Sequence, residues 1–330
     1  MDEDAELIPE NLRRPPDEPA STSKKTPTSI KDYNVIKEIG EGSISTVYYA
    51  KEMFGDRREV AVKSCQKRRI LRDKLVDAVM REKNILARLS TAENMHPFVV
   101  GLYCTLQDAE TLFFVVSYAQ KGDLATIIQK LPEKRMTLEQ SRFYSAELLA
   151  ALGHIHSLEV IHRDVKPDNI LVKADGHILL SDFGSAKDRT LPEKEPQPDP
   201  RNPDGPRKRR ASFVGTAQYV TPEMLQGKEA DETCDFWALG VTVFQFLTGK
   251  HCFHDESEYL IFRRVQELLY TFPDDFPAPA KSLVEALLVV EPSERLGSAS
   301  LGGISSLKQH DFFDGVQWDS LENTKPPFLI

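Results

Sequence analysis

The sequence predicts an α+β fold of two lobes, a small antiparallel sheet carrying one main helix and a larger, mainly helical lobe. Three observations predict it. Between residues 33 and 117, runs rich in β-branched and aromatic side chains, such as Tyr33-Asn34-Val35-Ile36 and Leu112-Phe113-Phe114-Val115-Val116-Ser117, are separated by polar turns. From Thr137 onward the apolar residues recur at helical spacing instead, at Phe143, Ala146, Leu149, Ala150, Leu152 and Ile155. A chain of 330 residues is also long enough for two such lobes with a sizeable core.

Composition narrows the class further. A hydrophobic content of 40% with 28% charged residues is ordinary for a soluble enzyme. The net charge of −9 argues against a general nucleic-acid or anionic-membrane binder. Cys65, Cys104, Cys234 and Cys252 show no C-x-x-C spacing, which points to reduced thiols in the cytosol or nucleus, not to zinc or a disulfide framework. No apolar run approaches the roughly 20 residues of a membrane span. Met1-Asp2-Glu3-Asp4 is not a signal peptide.

Residues 1–32, rich in Pro, Ser, Thr and charge, are expected to form a disordered lead. A strand from Tyr33 then runs into Gly40-Glu41-Gly42-Ser43-Ile44-Ser45-Thr46-Val47 and on into Tyr48-Tyr49-Ala50. Strand, glycine turn, strand suits a flap over phosphates, whereas a dinucleotide or Walker loop leads into a helix. A tight hairpin looks similar. In the first account Gly40 and Gly42 bring backbone N–H groups to the phosphates and Val47 covers the adenine, while Ser45 stands at the place of a third glycine. Val60-Ala61-Val62-Lys63 reads as a buried strand that presents one ammonium group, the competing account being a strand-end lysine reaching water. Helical spacing follows from Lys74 to Leu89, within which Glu82 is the candidate partner of Lys63; an exposed glutamate of little consequence is the alternative. Strands are expected at Val99–Cys104 and Leu112–Ser117 around the turn Gln107–Glu110. Ser117-Tyr118-Ala119-Gln120-Lys121-Gly122-Asp123 is then either a hinge whose backbone meets the adenine edge, with Asp123 at a ribose hydroxyl, or a plain linker.

The most informative stretch is His162-Arg163-Asp164-Val165-Lys166-Pro167-Asp168-Asn169. Asp182 follows in Ser181-Asp182-Phe183-Gly184, after two short apolar runs joined by Asp175-Gly176. An Asp-Gly pair is a strong hairpin signal, so the two acidic loops are expected side by side. Phosphoryl transfer from Mg-ATP needs this set: a carboxylate base, a nearby cation and oxygen ligands for hard metal ions. Thr137-Leu138-Glu139-Gln140 reads as a capped helix start. Prolines at 192, 196, 198, 200, 203 and 206 mark a disordered insertion over 190–207. The basic run Arg207–Arg210 beside Ser212 suits nuclear import, anionic lipid or a solvated recognition site for a kinase. Asp235 is expected to cap the amides of the acidic loop, and Arg295 to pair with Glu223 in the core.

With H-R-D-x-K-x-x-N and D-F-G in this order, the chain resembles the AGC group of serine/threonine protein kinases over about 33–330. Ser212-Phe213-Val214-Gly215-Thr216-Ala217-Gln218-Tyr219-Val220 and Tyr259-Leu260-Ile261-Phe262 resemble the branch whose members activate other AGC kinases. The resemblance implies a bilobal protein-kinase fold over 33–313, with a small lobe 33–117, a large lobe 122–313 and a short tail 314–330. It implies ATP and Mg2+ as cofactors. Asp164 becomes the base, Lys166 the cation on the moving phosphoryl group, Asn169 and Asp182 the metal ligands, and Lys63 with Glu82 the phosphate-aligning pair. It places Gly40, Gly42, Ser43, Ile44, Ser45, Val47, Ala61, Ser117, Ala119, Asp123, Asp168 and Leu171 around the nucleotide. It makes Ser212 a phosphosite that recruits Arg163 and Arg81.

The sequence carries no phosphorylatable Phe-x-x-Phe-Ser/Thr string at its close. In the resembling branch an empty small-lobe groove docks such tails from substrate kinases. Here its lining is expected to be Ile70, Leu71, Val76, Val79 and Leu112, with Lys67, Thr105 and Gln107 near the phosphate; ordinary core is the competing account. Lys83 replaces the arginine of the resembling branch, a point charge in place of a bidentate fork. The lipid-binding pleckstrin-homology domain of the resembling branch is missing from the sequence, which marks it either as a fragment or as a form that does not reach membranes by itself. The expected partners are other AGC kinases, without nucleic acid or direct membrane contact by this chain, and the expected state a monomer or weak transient dimer. A cytoplasmic location with nuclear shuttling is expected. A generic AGC kinase with other substrates and a pseudokinase scaffold are the alternatives.

Overall fold

The computed structural model describes residues 27–42, 44–191 and 216–327. The chain forms two compact units, divided between Gln120 and Lys121. Ahead of the first strand, Ser29 and Asp32 form a capping box around a single 3-10 turn, Ile30–Asp32.

The first unit is a five-stranded antiparallel sheet with two helices. Its strands are β1 (Tyr33–Glu41), β2 (Ser45–Glu52), β3 (Glu59–Gln66), β4 (Leu102–Gln107) and β5 (Thr111–Ser117), in the order β1-β2-β3-β5-β4. Alternation divides the side chains between two faces. Tyr33, Ala50, Val60, Val62, Phe113 and Val115 form one apolar cluster. Register places Val47 opposite Lys63, Tyr49 opposite Ala61 and Ala61 opposite Val116, so these side chains share the other face. Helix α1 (Lys67–Arg72) precedes α2 (Val76–Leu89). The sequence points to one helix from Lys74. It misses α1 because Gln66 supplies no side-chain cap and six residues are too few to show a period. Likewise β4 starts at Leu102, not Val99. Val99 and Val100 are buried outside the strand, where Val99 N–H closes a turn onto the His96 carbonyl.

The second unit is mainly helical. It opens with β6 (Gly122–Asp123), α3 (Leu124–Lys130) and α4 (Leu138–Ser157), followed by the short strands β7 (Val160–Ile161), β8 (Ile170–Val172), β9 (Ile178–Leu180) and β10 (Lys187–Asp188). Then come α5 (Pro222–Leu225), α6 (Thr233–Thr248), α7 (Glu258–Gln266), α8 (Ala278–Leu287) and α9 (Gly303–Lys308). Thr137 and Gln140 make the reciprocal capping box expected of the α4 start. Helix α6 is the core: Phe236, Trp237, Leu239, Val243 and Phe246 are all at most 1% exposed. Burial of each such side chain contributes about 1.5–3 kcal/mol. Gly240 lets α8 approach, since a Cβ there would lie 2.9 Å from Leu287 Cβ. Among the described residues no helix is long and apolar enough to cross a membrane, and Cys65, Cys104, Cys234 and Cys252 are free thiols.

Candidate active site

The loop between β7 and β8 is held by one buried carboxylate. Asp235, fully buried on α6, accepts hydrogen bonds from the backbone N–H groups of His162 and Arg163, both at 2.8 Å, and lies 2.8 Å from His156 Nε2. Burial alone pushes the Asp235 carboxyl up, but the His156 hydrogen bond and charge, with His162, outweigh it and hold it below the usual range. This anchoring sustains a left-handed backbone at Arg163, φ +65°, which a non-glycine residue adopts at a cost of about 1–2 kcal/mol. The sequence anticipates Asp235; it carries no signal for His156, which reaches the carboxylate from α4.

On this frame the charged side chains converge. Lys166 Nζ donates to Asp164 at 2.9 Å and to Thr216 Oγ1 at 2.9 Å. Asn169 Nδ2 donates to the Asp164 carbonyl at 2.7 Å and to its carboxylate at 3.0 Å. The amide nitrogen is thereby committed, and the amide oxygen is the atom left to act as a ligand. His162 Nδ1 accepts from Asp164 N–H while Nε2 donates to the Ser181 carbonyl, which fixes the Nε2–H tautomer. Its ring also packs edge-on against Phe183.

The hairpin brings the second acidic loop alongside, as the Asp-Gly signal predicts. Ile170 pairs with Leu180, and Ser181 N–H and Oγ both reach the Asn169 carbonyl. Asp182 follows directly, with φ +61°, and accepts from Gly184 N–H. Gly176 at the turn has φ +94°, a conformation that favours glycine. Arg163 Nε donates to the Ser185 carbonyl at 2.7 Å, and β10 pairs with β7, so the start of the segment after Asp182 is tied back to the loop. Asp168 is exposed in the turn Pro167–Asn169, while Leu171 lies opposite Asp123 in the β6–β8 pair. The Asp123 carboxylate caps α3 through Thr126 N–H at 2.6 Å and Thr126 Oγ1 at 2.9 Å. A helix cap is thus the observed role of a side chain expected at a ribose.

In the first unit Lys63 Nζ lies 2.6 Å from Glu82 Oε1. Glu82 is 6% exposed, against the alternative of a solvated helix glutamate. The glycine loop closes through Gly42 N–H to the Ser45 carbonyl at 2.7 Å. A Cβ on Gly42 would sit 3.2 Å from Ser45 Oγ, so a side chain there would need the serine hydroxyl to turn aside. Ile44 anchors the loop by accepting from Gln66 N–H. Val47, Ala61 and Lys63 share one face with Val116, which the sequence reading overlooks although its register position declares it. Ser117 Oγ accepts from Gly101 N–H, and Ala119 is buried. Gly40 lies on β1 opposite Val47. Ser43 and Ser212 fall outside the described residues, as do 192–207 of the insertion.

Of the expected groove residues, Ile70, Val79 and Leu112 are 2–4% exposed and belong to the core, while Leu71, Val76, Thr105 and Gln107 are half-buried. Thr105 Oγ1 is buried and has no hydrogen-bond partner among the described residues. Lys67 Nζ donates to the Asp108 carbonyl at 2.6 Å. Desolvation holds the Lys83 ammonium below its ordinary pKa.

The second unit thus holds a carboxylate fixed by a lysine and an amide, with an amide oxygen and a second carboxylate at adjoining strand ends. The first unit holds a buried lysine–glutamate pair. These are the working parts of a phosphotransferase. The chain belongs to the protein kinase family: the protein kinase domain matches residues 33–313. It is 42% identical to 3-phosphoinositide-dependent protein kinase 1 of Homo sapiens over 316 residues, which is 96% of this chain and 52% of that protein. It is 38% identical to 3-phosphoinositide-dependent protein kinase 1 of Arabidopsis thaliana over 298 residues, 90% of this chain and 58% of that protein. The chain spans about half the length of these curated relatives.

Proposed function

We propose that the protein is a serine/threonine kinase of the 3-phosphoinositide-dependent type, transferring the ATP γ-phosphoryl group to activation-segment Ser or Thr residues of other AGC kinases. The observation that carries this reading is the convergence of Lys166 and Asn169 on Asp164, in a family where such a loop performs phosphoryl transfer. Asp164 orients the substrate hydroxyl and accepts its proton. Lys166, held between Asp164 and Thr216, offsets charge on the phosphoryl group in flight. The Glu82 carboxylate fixes Lys63 for the α- and β-phosphates.

Asn169 and Asp182 offer hard oxygen donors. No cluster of three His, Cys, Asp or Glu side chains suited to a metal occurs among the described residues. Two protein oxygens fit Mg2+, which keeps waters and phosphate oxygens in its shell instead of demanding a protein cage. Bound there, it would supply charge neutralisation on the ATP phosphates.

The small-lobe groove is read as the dock for the hydrophobic tails of substrate kinases, with half-buried Leu71 and Val76 at its surface over Ile70, Val79 and Leu112. Lys83, at the place of the resembling branch's arginine, offers a point charge in place of a bidentate fork and would favour phosphorylated tails less strongly. The four free cysteines accord with a reducing compartment, the cytoplasm with nuclear shuttling. Turnover of an activation-segment peptide, with and without an appended aromatic tail, tests both levels. Absence of transfer by the wild type defeats the kinase reading. Equal turnover of the two peptides defeats docking and leaves a generic AGC kinase.

A further inference from the structure

The sheet face that carries Val47, Ala61, Lys63 and Val116 continues two residues further along β2, to Tyr49. Side chains directly opposite in an antiparallel pair point to the same side, so Tyr49, facing Ala61, stands at the rim of the proposed nucleotide face. Its ring stacks on Tyr118, with centroids 4.4 Å apart and planes at 24°. Tyr118 lies between Ser117 and Ala119, the two expected adenine neighbours.

A second tie runs through Glu59 at the start of β3. Tyr49 Oη donates to Glu59 at 2.7 Å, Lys51 Nζ lies 2.9 Å from the same carboxylate, and the Gln120 side chain also hydrogen-bonds it. Lys51 additionally sits 5.9 Å from the Tyr49 ring centroid. Ala119 is therefore flanked on both sides by residues fastened to the β2–β3 end of the sheet: Tyr118 by its ring and Gln120 through Glu59. Exposed ion pairs by themselves contribute little. An offset aromatic stack has a defined geometry and a measurable worth, and here it fixes a backbone segment instead of filling a core.

We propose that Tyr49 is a positioning residue for the nucleotide: by stacking on Tyr118 it holds the backbone of 117–119 in the attitude that meets the adenine edge. The inference rests on the kinase reading above. It assigns ATP affinity in this protein partly to a side chain that need not touch the nucleotide.

The test is steady-state kinetics with ATP and peptide varied separately, on the full chain. Tyr49→Leu keeps an apolar strand residue and removes the ring; it is expected to raise KM for ATP about two- to tenfold, with kcat within about twofold and KM for peptide unchanged. Tyr49→Phe keeps the ring, loses only the Glu59 bond, and should stay within about twofold of wild type in KM for ATP. Tyr118→Leu should reproduce the Tyr49→Leu split, and the double variant should add nothing to either. Should Tyr49→Leu prove insoluble, Tyr118→Leu is read by the same criteria. Unchanged KM for ATP on loss of the ring, or a fall in kcat at constant KM, overturns the proposal. A wild type that fails to bind ATP would instead sink the kinase reading, while a wild type that binds ATP no better than its ring-less variants sinks only this inference.

Discussion

Lys63 on β3 and Glu82 on α2 are joined by a 2.6 Å ion pair whose carboxylate is almost wholly buried. The pair couples the charged member of the Val47–Ala61–Lys63–Val116 face to the helix beside it. Lys63→Met is expected to lower kcat about 10²- to 10³-fold, the usual cost of losing one donor to a reacting phosphate or oxyanion. Glu82→Gln, which keeps the shape but loosens the ammonium, should cost about tenfold in kcat/KM. ADP formation in coupled assays with peptide substrate checks both; a Glu82→Gln enzyme as slow as Lys63→Met would show that the glutamate does more than hold the lysine.

Asp164 should separate binding from chemistry. Asp164→Asn preserves the hydrogen-bonding shape toward Lys166 and Asn169 but has no proton-accepting carboxylate, so turnover should drop about 10²- to 10⁴-fold. ATP affinity, followed by thermal stabilisation on nucleotide addition, should stay near wild type. Retained turnover would remove the base from Asp164.

The Asp235 carboxyl has a depressed pKa in the folded protein, so its stabilising effect is present above its unfolded value of 3.8 and is lost as pH falls through the lower folded value. Asp235→Asn should destabilise the second unit by about 2–4 kcal/mol at pH 7, since it orphans one of the His162 and Arg163 amides or His156. Urea titrations should show the gap to wild type narrowing below about pH 4. A gap independent of pH would assign the effect to packing.

Arg295 and Glu223 form a fully buried two-point pair, each contact at 3.1 Å, with Trp237 beneath the guanidinium. Either single neutralisation, Arg295→Met or Glu223→Gln, should cost about 3–5 kcal/mol because the partner's charge is left buried. The double variant should recover only part of this in calorimetry, since the Val289 and Thr233 carbonyls also depend on Arg295. Full recovery would mean those carbonyls find other donors.

What the sequence by itself determined is everything that local chemistry specifies. The Asp175-Gly176 turn sets two acidic loops side by side, the Thr137–Gln140 capping box starts α4, and alternation along β3 selects Ala61 and Lys63 for one face. What only the tertiary structure decided are contacts between side chains far apart along the chain. These include His156 meeting Asp235, the buried Glu147–His177 pair and the Tyr49–Tyr118 stack. The reason is physical: turns, caps and strand parity depend on residues within a few positions, whereas a buried polar atom takes whichever partner the packed elements bring within about 3 Å. That choice also made Ile70, Val79 and Leu112 core and left Leu71 and Val76 half-buried.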